Sequence, residues 1–546
     1  MQDCTAWRLR VISGQLASTS KRSAEGVVGQ PCRAEAAGSS SRICSREEAL
    51  DLIQDGDSLV VAGFVGCGSP EHLLRGLRAK YDATSHPSNL DVYVGAPGGK
   101  GRGVELLAAE GLLRSLTYGW LGLSPKLLEL VMKGKAKAWN FPLGIMSHLF
   151  RDVAAKRPGP ISHVGLGTFV DPREKGGKVG GAHQRDKVRL MDVGGRDMLW
   201  YEAPRRIHIA LLRGTSADLD GNISYEREPL LVDNLNQAFA AHNSGGKVIV
   251  QVERIVDRGS FPQRLIHIPG ALVDKVVVAP VEDHWPTMAS PVYDGSLTGE
   301  VRAPSSSTRP LAFSPKRIMA HRAMLELTKP HSIVNLGIGA PEGVSVMVAT
   351  HGDAVSRTCH LTTEAGVIGG SPVGGLLFGA ARNATALMPA ASIIDFYQGG
   401  GCDLAVLGMA EVDAVGNVNV SNFGPGCGGF IDISQTSKQV IFLGTFTSGG
   451  LEVDIKHGKL TIVKEGRVEK FRKNVREKTF GAATAGERSI MYVTERAVFR
   501  LKPNKGIELL EVAPGVDIQK DILAHMEFRP IMANVQLMDS KIFQQE

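Results

Sequence analysis

Apolar residues in this chain fall into short runs bounded by turn signals. These runs alternate with segments whose apolar residues recur every three or four positions. "SLVVAGF" (residues 58–64) reads as a buried strand, and "EHLLRGLRAK" after Pro70 as a helix with one apolar face. Upstream, Ser45 and Glu48 have capping-box spacing ahead of Ala49, Leu50 and Ile53, so ordered structure is expected to begin near Ser45. The same order returns from Ser314. Ser314 suits an N-cap and Pro315 the first helical position, and Met319, Ala323 and Leu327 share a face. After Lys329 and Pro330 come a strand, "SIVNL", a loop, "GIGAP" (residues 337–341), and a second helix, "EGVSVMVAT".

Further pairs repeat the theme. "IALLRGTSADLDGNIS" (residues 209–224) parallels "LAVLGMAEVDAVGNVN" (residues 404–419), each an apolar strand followed by Asp-x-x-Gly-Asn. "KVIVQV" from Lys247 and "QVIFLG" from Gln439 follow them. Pairs in the same order predict two related α/β domains, each a mostly parallel sheet flanked by helices. The first half must carry extra material, roughly residues 89–200, because its glycine loop lies farther from its Asp-x-x-Gly-Asn strand. "APSSSTRP" (residues 303–310) has the composition of a boundary. The expected division is a tail at 1–40, a first domain at 45–302, a linker at 303–313, a second domain at 314–526 and a C-terminal tail at 527–546.

Composition narrows the function classes. The 546 residues are 43% hydrophobic and 22% charged, ordinary for a globular protein of two to four domains. No apolar run approaches the roughly 18 residues of a membrane span. The net charge of +6 is dispersed, and the basic cluster near Lys133 lacks interleaved aromatics, so neither nucleic acid nor a membrane is an expected partner. Seven cysteines, an odd number without a CxxC pair or zinc spacing, point to a reduced compartment and no structural metal. The first forty residues are rich in Arg, Ser and Ala and resemble a mitochondrial transit peptide, although Asp3, Glu25 and Glu35 depart from that pattern. Mitochondrial placement is expected, with the cytoplasm as the alternative.

The glycine loops carry candidate chemistry. "GFVGCGSP" (residues 63–70) and "GIGAP" each join a strand to a helix, where backbone N–H groups can meet an anion. A tight connection is the other reading. Neither has the spacing of a dinucleotide fingerprint or the Lys-Ser/Thr of a P-loop. "FGPGCGGF" (residues 423–430) has four glycines in eight residues, a density that calls for close backbone approach or positive φ angles. "CHLTTEAGVIGG" (residues 359–370) sets a lone glutamate, Glu364, between a strand and a glycine turn, where a glutamate taken alone is ordinarily exposed.

Taken in order, these motifs resemble the family I coenzyme A transferases of the 3-oxoacid and short-chain acyl type, from Ser45 to about Met526. "DGDSLVVAGFVGCGSP" is similar to the family's first-half signature, with Ala62 replacing a Gly. "TEAGVIG" is similar to its catalytic Ser-Glu-Asn-Gly signature, with Thr363 and Ala365 as departures. "WNFPLGIMSHLF" and "GLGTFVDPREKGGK" look like the acetate or propionate branch rather than the succinyl branch.

The resemblance implies two related open-sheet α/β domains of the CoA-transferase type. It implies transfer of CoA from a short-chain acyl-CoA to a carboxylate acceptor through a glutamyl-CoA thioester. Glu364 is then the nucleophile, ionised at neutral pH with an ordinary pKa near 4. Gly428 and Gly429 are the implied oxyanion donors. Gly337, Gly339 and Asn417 are expected near the coenzyme, and Leu143, Gly63 and Phe64 at the acyl pocket. Leu143 stands where the family usually has Gln. Coenzyme A is substrate and covalent intermediate, with no permanently bound cofactor and no metal. A homo-oligomer is expected. His163, His360, Cys67 and Cys427 read as structural, and Asp171, Pro172 and Arg173 as loop-shaping residues that edge the pocket. An acyl-CoA hydrolase on the same scaffold and a non-catalytic CoA-binding protein are the alternatives.

Overall fold

The computed structural model describes residues 42–544, apart from Lys100, Ala182, residues 305–307, Asn422 and Phe423. The transit-peptide reading therefore lies outside the described residues. Ser45 accepts the Glu48 N–H and the Glu48 carboxylate accepts the Ser45 N–H, so the capping box opens the helix Arg46–Leu50 as its spacing predicts.

The first sheet contains β1 (Ser58–Val65), β2 (Leu90–Pro97), β3 (Leu113–Tyr118), β4 (Lys137–Asn140), β5 (Lys178–Val179), β6 (Ile209–Arg213), β7 (Lys247–Val252) and β8 (Lys275–Val278). Their spatial order is β8-β7-β6-β1-β2-β3-β4-β5. Every pair is parallel except β4 with β5. All eight residues of β1 are buried, as an unbroken apolar run in a sheet covered on both faces must be.

The second sheet contains β9 (Ile333–Leu336), β10 (His360–Thr363), β11 (Val367–Ile368), β12 (Ala386–Leu387), β13 (Leu404–Gly408), β14 (Gln439–Leu443), β15 (Ser489–Val493), β16 (Ala497–Lys502), β17 (Gly506–Val512) and β18 (Gln536–Leu537). Its order is β12-β11-β10-β9-β13-β14-β15-β16-β17-β18. The core β10-β9-β13-β14-β15 is parallel and repeats β2-β1-β6-β7-β8 of the first sheet. The internal duplication seen in the sequence is thus a duplicated strand order.

The extra material of the first half takes a definite form. It continues the sheet through β3, β4 and β5, adds the helix Leu143–Ala154, and builds a small three-stranded sheet from Ile161–Ser162, Val188–Asp192 and Asp197–Tyr201. The Asp-x-x-Gly-Asn motifs are turns. Asp413 accepts the backbone N–H groups of Val415, Gly416 and Asn417, and Asp218 those of Asp220 and Asn222.

The described residues from Arg42 onward pack as one unit. An apolar seam joins the halves, with Phe64, Val65 and Leu143 from the first and Ala365, Val367 and Phe378 from the second. Truncating a buried aromatic there, such as Phe378, to alanine would cost about 3–5 kcal/mol.

Candidate active site

β10 turns into β11 through the hairpin tip Glu364, Ala365 and Gly366, with Thr363 paired to Val367. Gly366 has φ +103°, and a Cβ there would lie 2.0 Å from the Met388 carbonyl oxygen, so the tip tolerates only glycine. The tip points into the seam rather than into solvent, and Glu364 is only 8% exposed.

Beside it lies a cavity of about 160 Å³, walled by Phe64, Trp120, Leu143, Ile338, Phe378 and Phe430, with Glu364 as its only carboxylate among the described residues. One carboxylate oxygen of Glu364, Oε2, has no hydrogen-bond partner. Burial pushes its pKa up to about 7. The charge of Asp432 adds to that push, while the Glu364 backbone N–H and the Asn335 side chain favour the charged form. The expectation of an ordinary pKa near 4 is therefore corrected, because desolvation disfavours the anion. Behind the tip, Asn335 donates to the Tyr397 hydroxyl (3.2 Å), which donates to Thr362 (2.6 Å).

The third glycine loop curls over the cavity. Gly424, Gly426 and Gly428 all have positive φ. A Cβ on Gly426 would lie 2.5 Å from the Gly119 carbonyl oxygen, so both readings of the glycine density hold. Asn140 fastens the loop to the first half by accepting the Cys427 N–H (3.0 Å) while donating to the carbonyls of Tyr118 and Gly119.

The expected oxyanion pair separates here. The Gly428 N–H already donates to the Gly119 carbonyl at 3.0 Å. Among the described residues no carbonyl accepts the Gly429 N–H. Gly429 caps the N-terminus of the helix Phe430–Thr436, and a Cβ on it would lie 3.1 Å from Glu364 Cγ. Gly429 is therefore the member of the pair that lies against Glu364, whereas the Gly428 N–H is spent on the Gly119 carbonyl.

The remaining expected residues divide. Leu143, Phe64 and Gly337 line the cavity. Gly63, at φ +122°, lies in the β-bulge between Val61 and Phe64 and aims Phe64 inward without lining the cavity itself. Gly339 turns its loop at φ +91° outside the cavity lining. Asn417 is taken up by its turn, where its side chain donates to Asp413 (3.0 Å) and accepts the Ala482 N–H (2.9 Å). Asp171 likewise accepts the Gly167 and Arg173 N–H groups, shaping its loop away from the cavity lining. His163 and His360 do not line the cavity either.

Sequence reasoning missed Asp432 and Gln398. Asp432 is fully buried and accepts the Gly144 N–H (3.0 Å) and the Gln398 side-chain amide (2.9 Å). Burial pushes its pKa up to about 7 as well. The available signal was an acid inside the apolar run "FIDI".

Comparison with known proteins shows the family. The family description "Coenzyme A transferase" matches residues 44–279. A caffeate CoA-transferase of Acetobacterium woodii is 40% identical over 519 residues, covering 93% of this chain and 98% of that protein. The acetate CoA-transferase YdiF of Escherichia coli (strain K12) is 40% identical over 513 residues, covering 92% and 95%. A crystal structure of the acyl-CoA transferase YdiF from E. coli O157:H7, described as a thioester complex with CoA, gives a TM-score of 0.86 at 37% identity, covering 92% of this chain and 96% of that one. The chain belongs to the family I coenzyme A transferases, in their acetate/propionate-like branch. It is a CoA-transferase, and coenzyme A is its substrate rather than a resident cofactor. These 40% relatives are bacterial, so mitochondrial placement draws no support from them.

Proposed function

We propose that this enzyme moves CoA from an apolar short-chain acyl-CoA to a carboxylate acceptor, with Glu364 carrying the coenzyme as a glutamyl-CoA thioester. The observation that carries the reading is the Glu364 carboxylate, buried against the cavity with Oε2 unpartnered.

In its ionised form Glu364 attacks the thioester carbonyl and expels CoA thiolate, leaving an acyl-glutamyl anhydride. The thiolate attacks the glutamyl carbonyl and releases the acyl carboxylate. An acceptor carboxylate then runs the same steps in reverse. Each tetrahedral intermediate carries an oxyanion, for which the Gly429 N–H is the adjacent donor. Acyl activation is conserved throughout, so the cycle consumes no ATP.

The anhydride must be kept from water, and the apolar walls support transfer over hydrolysis. They also favour acyl groups without polar substituents. One half of the site comes from residues within 45–302 and the other from residues within 314–526, which supports a two-domain division at the linker. Homo-oligomeric assembly is tested by the mass of the native enzyme in solution.

Glu364→Ala should abolish transfer between propionyl-CoA and acetate while the protein stays folded, and the wild-type kinetics should be ping-pong. Residual activity within tenfold of wild type in pure protein would refute the reading. CoA release from propionyl-CoA that does not depend on acetate would instead mark a hydrolase.

A further inference from the structure

The established class does not explain why a second carboxylate is buried beside the first. Asp432 lies three residues beyond Gly429, one helical turn along the helix Phe430–Thr436, and Gly429 packs directly on the Glu364 side chain. Asp432 also bridges the two halves. Its Oδ2 accepts from Gly144 at the start of the first-half helix that carries Leu143, and its Oδ1 accepts from Gln398 of the second half. A Cβ on Gly144 would lie 2.5 Å from Asp432 Oδ1 and 2.4 Å from Ile394 Cγ2, so any larger residue there must displace those side chains.

We propose that Asp432 is an electrostatic positioning residue whose negative charge, when it is ionised, disfavours free Glu364 carboxylate and thereby drives formation of the neutral glutamyl-CoA thioester. The inference rests on the reading of Glu364 as nucleophile.

Burial pushes both acids up to about 7, and Gly144 and Gln398 hold Asp432 in place while Glu364 Oε2 has no partner, so above that pH a charge on Glu364 meets the charge on Asp432. Other groups leave this field intact. Cys427 and Tyr201 interact with Asp432, and burial pushes both pKa values well up, so both stay neutral. Tyr397, beside Glu364, is pushed up in the same way. On the helices packed against Asp432, His148 and Arg151 pair with Asp395 (2.9 and 2.6 Å), and Asp152 pairs with Arg157.

Glutamate carboxylate and acyl-CoA become glutamyl-CoA and a free acyl carboxylate, through one carbon–oxygen bond made and broken and one carbon–sulfur bond exchanged. No proton is consumed. The negative charge beside Asp432 leaves the cavity with the released carboxylate. Repulsion present in the free enzyme is absent from the thioester, so it biases the half-reaction forward.

The test compares wild type, Asp432→Asn and Gln398→Leu. The pH dependence of kcat/KM for propionyl-CoA reports ionisation of Glu364, and mass spectrometry at pH 8 with fixed propionyl-CoA and propionate reports the thioester fraction. Asp432→Asn should move the acid limb about one pH unit lower and reduce the ratio of thioester to free enzyme about tenfold. Gln398→Leu removes a donor from Asp432, weakens its charge, and should move the limb the same way by less. It carries the test should Asp432→Asn fail to fold. A purely structural Asp432 would lower activity and leave the acid limb and the thioester ratio unchanged, which overturns this inference alone. Absence of any thioester on Glu364 in the wild type overturns both this inference and the nucleophile reading.

Discussion

Replacing Glu364 with Gln should stabilise the protein at alkaline pH and not at acid pH. The carboxyl group moves from its ordinary value of 4.5 to about 7 on folding, chiefly through burial. The native state therefore holds its proton more tightly than the unfolded chain does. Between pH 4.5 and pH 7 the native protein binds more protons than the unfolded one, so stability falls as pH rises through that window. Below it the contribution is fully present, and above it the loss is complete. At 1.36 kcal/mol per pH unit the loss is about 3 kcal/mol. Gln keeps the shape and removes the charge, so it should recover about that much at pH 8 and little at pH 4.5. For a chain of 546 residues, about 2.1 cal/mol/K of unfolding entropy per residue turns this into a Tm gain of about 3 °C. Differential scanning calorimetry of both proteins at pH 4.5, 6 and 8 measures it. An equal gain at every pH, or none at pH 8, would refute the raised pKa and with it the cost of burying the carboxylate.

Transfer activity should follow the same ionisation, half-maximal near pH 7 and approaching its plateau about one unit higher, since only ionised Glu364 attacks; a kcat/KM profile flat from pH 5 to 8 would contradict this. Gly429→Ala places a Cβ 3.1 Å from Glu364 Cγ and 3.2 Å from Ile433 Cδ1, so the side chain must shift and transfer should fall about 100-fold. Near-normal steady-state rates in that variant would show that Glu364 has room to relax. Leu143→Gln puts an amide on the cavity wall and should improve 3-oxoacyl or 2-hydroxyacyl donors relative to propionyl-CoA, by about 1–3 kcal/mol in specificity. An unchanged donor preference in a competition assay would mean that the acyl group lies elsewhere.

What the sequence disclosed was mostly local. The repeated helix–strand–glycine loop order foretells a duplicated sheet because apolar runs and turn residues act over a few positions. Glu364 stood out because a hairpin tip and its glycines are contiguous in the chain. What stayed hidden depends on partners far apart. The bond from Gly144 to Asp432 spans 288 positions, and no periodicity announces it. The Gly428 N–H looked available until the Gly119 carbonyl folded against it. Asn417 looked like a ligand-binding amide, yet its own Asp413 turn claims it, as Asp218 claims Asn222 in the first half. The raised pKa of Glu364 likewise arises only when two distant halves close over it.

The most direct measurement of the central claim uses the reactivity of the intermediate. A glutamyl thioester is an activated acyl group one side chain away from its own backbone nitrogen. Once denaturation frees that nitrogen, it closes a five-membered ring and leaves the Thr363–Glu364 peptide bond open to hydrolysis. Enzyme incubated with propionyl-CoA and then heated in denaturant should yield two fragments, residues 1–363 and a pyroglutamyl fragment of residues 364–546, resolved by mass spectrometry. Enzyme heated without acyl-CoA should stay whole, as should the freshly prepared Glu364→Gln protein. A cut elsewhere, or one that needs no acyl-CoA, would contradict Glu364 as the carrier of the coenzyme.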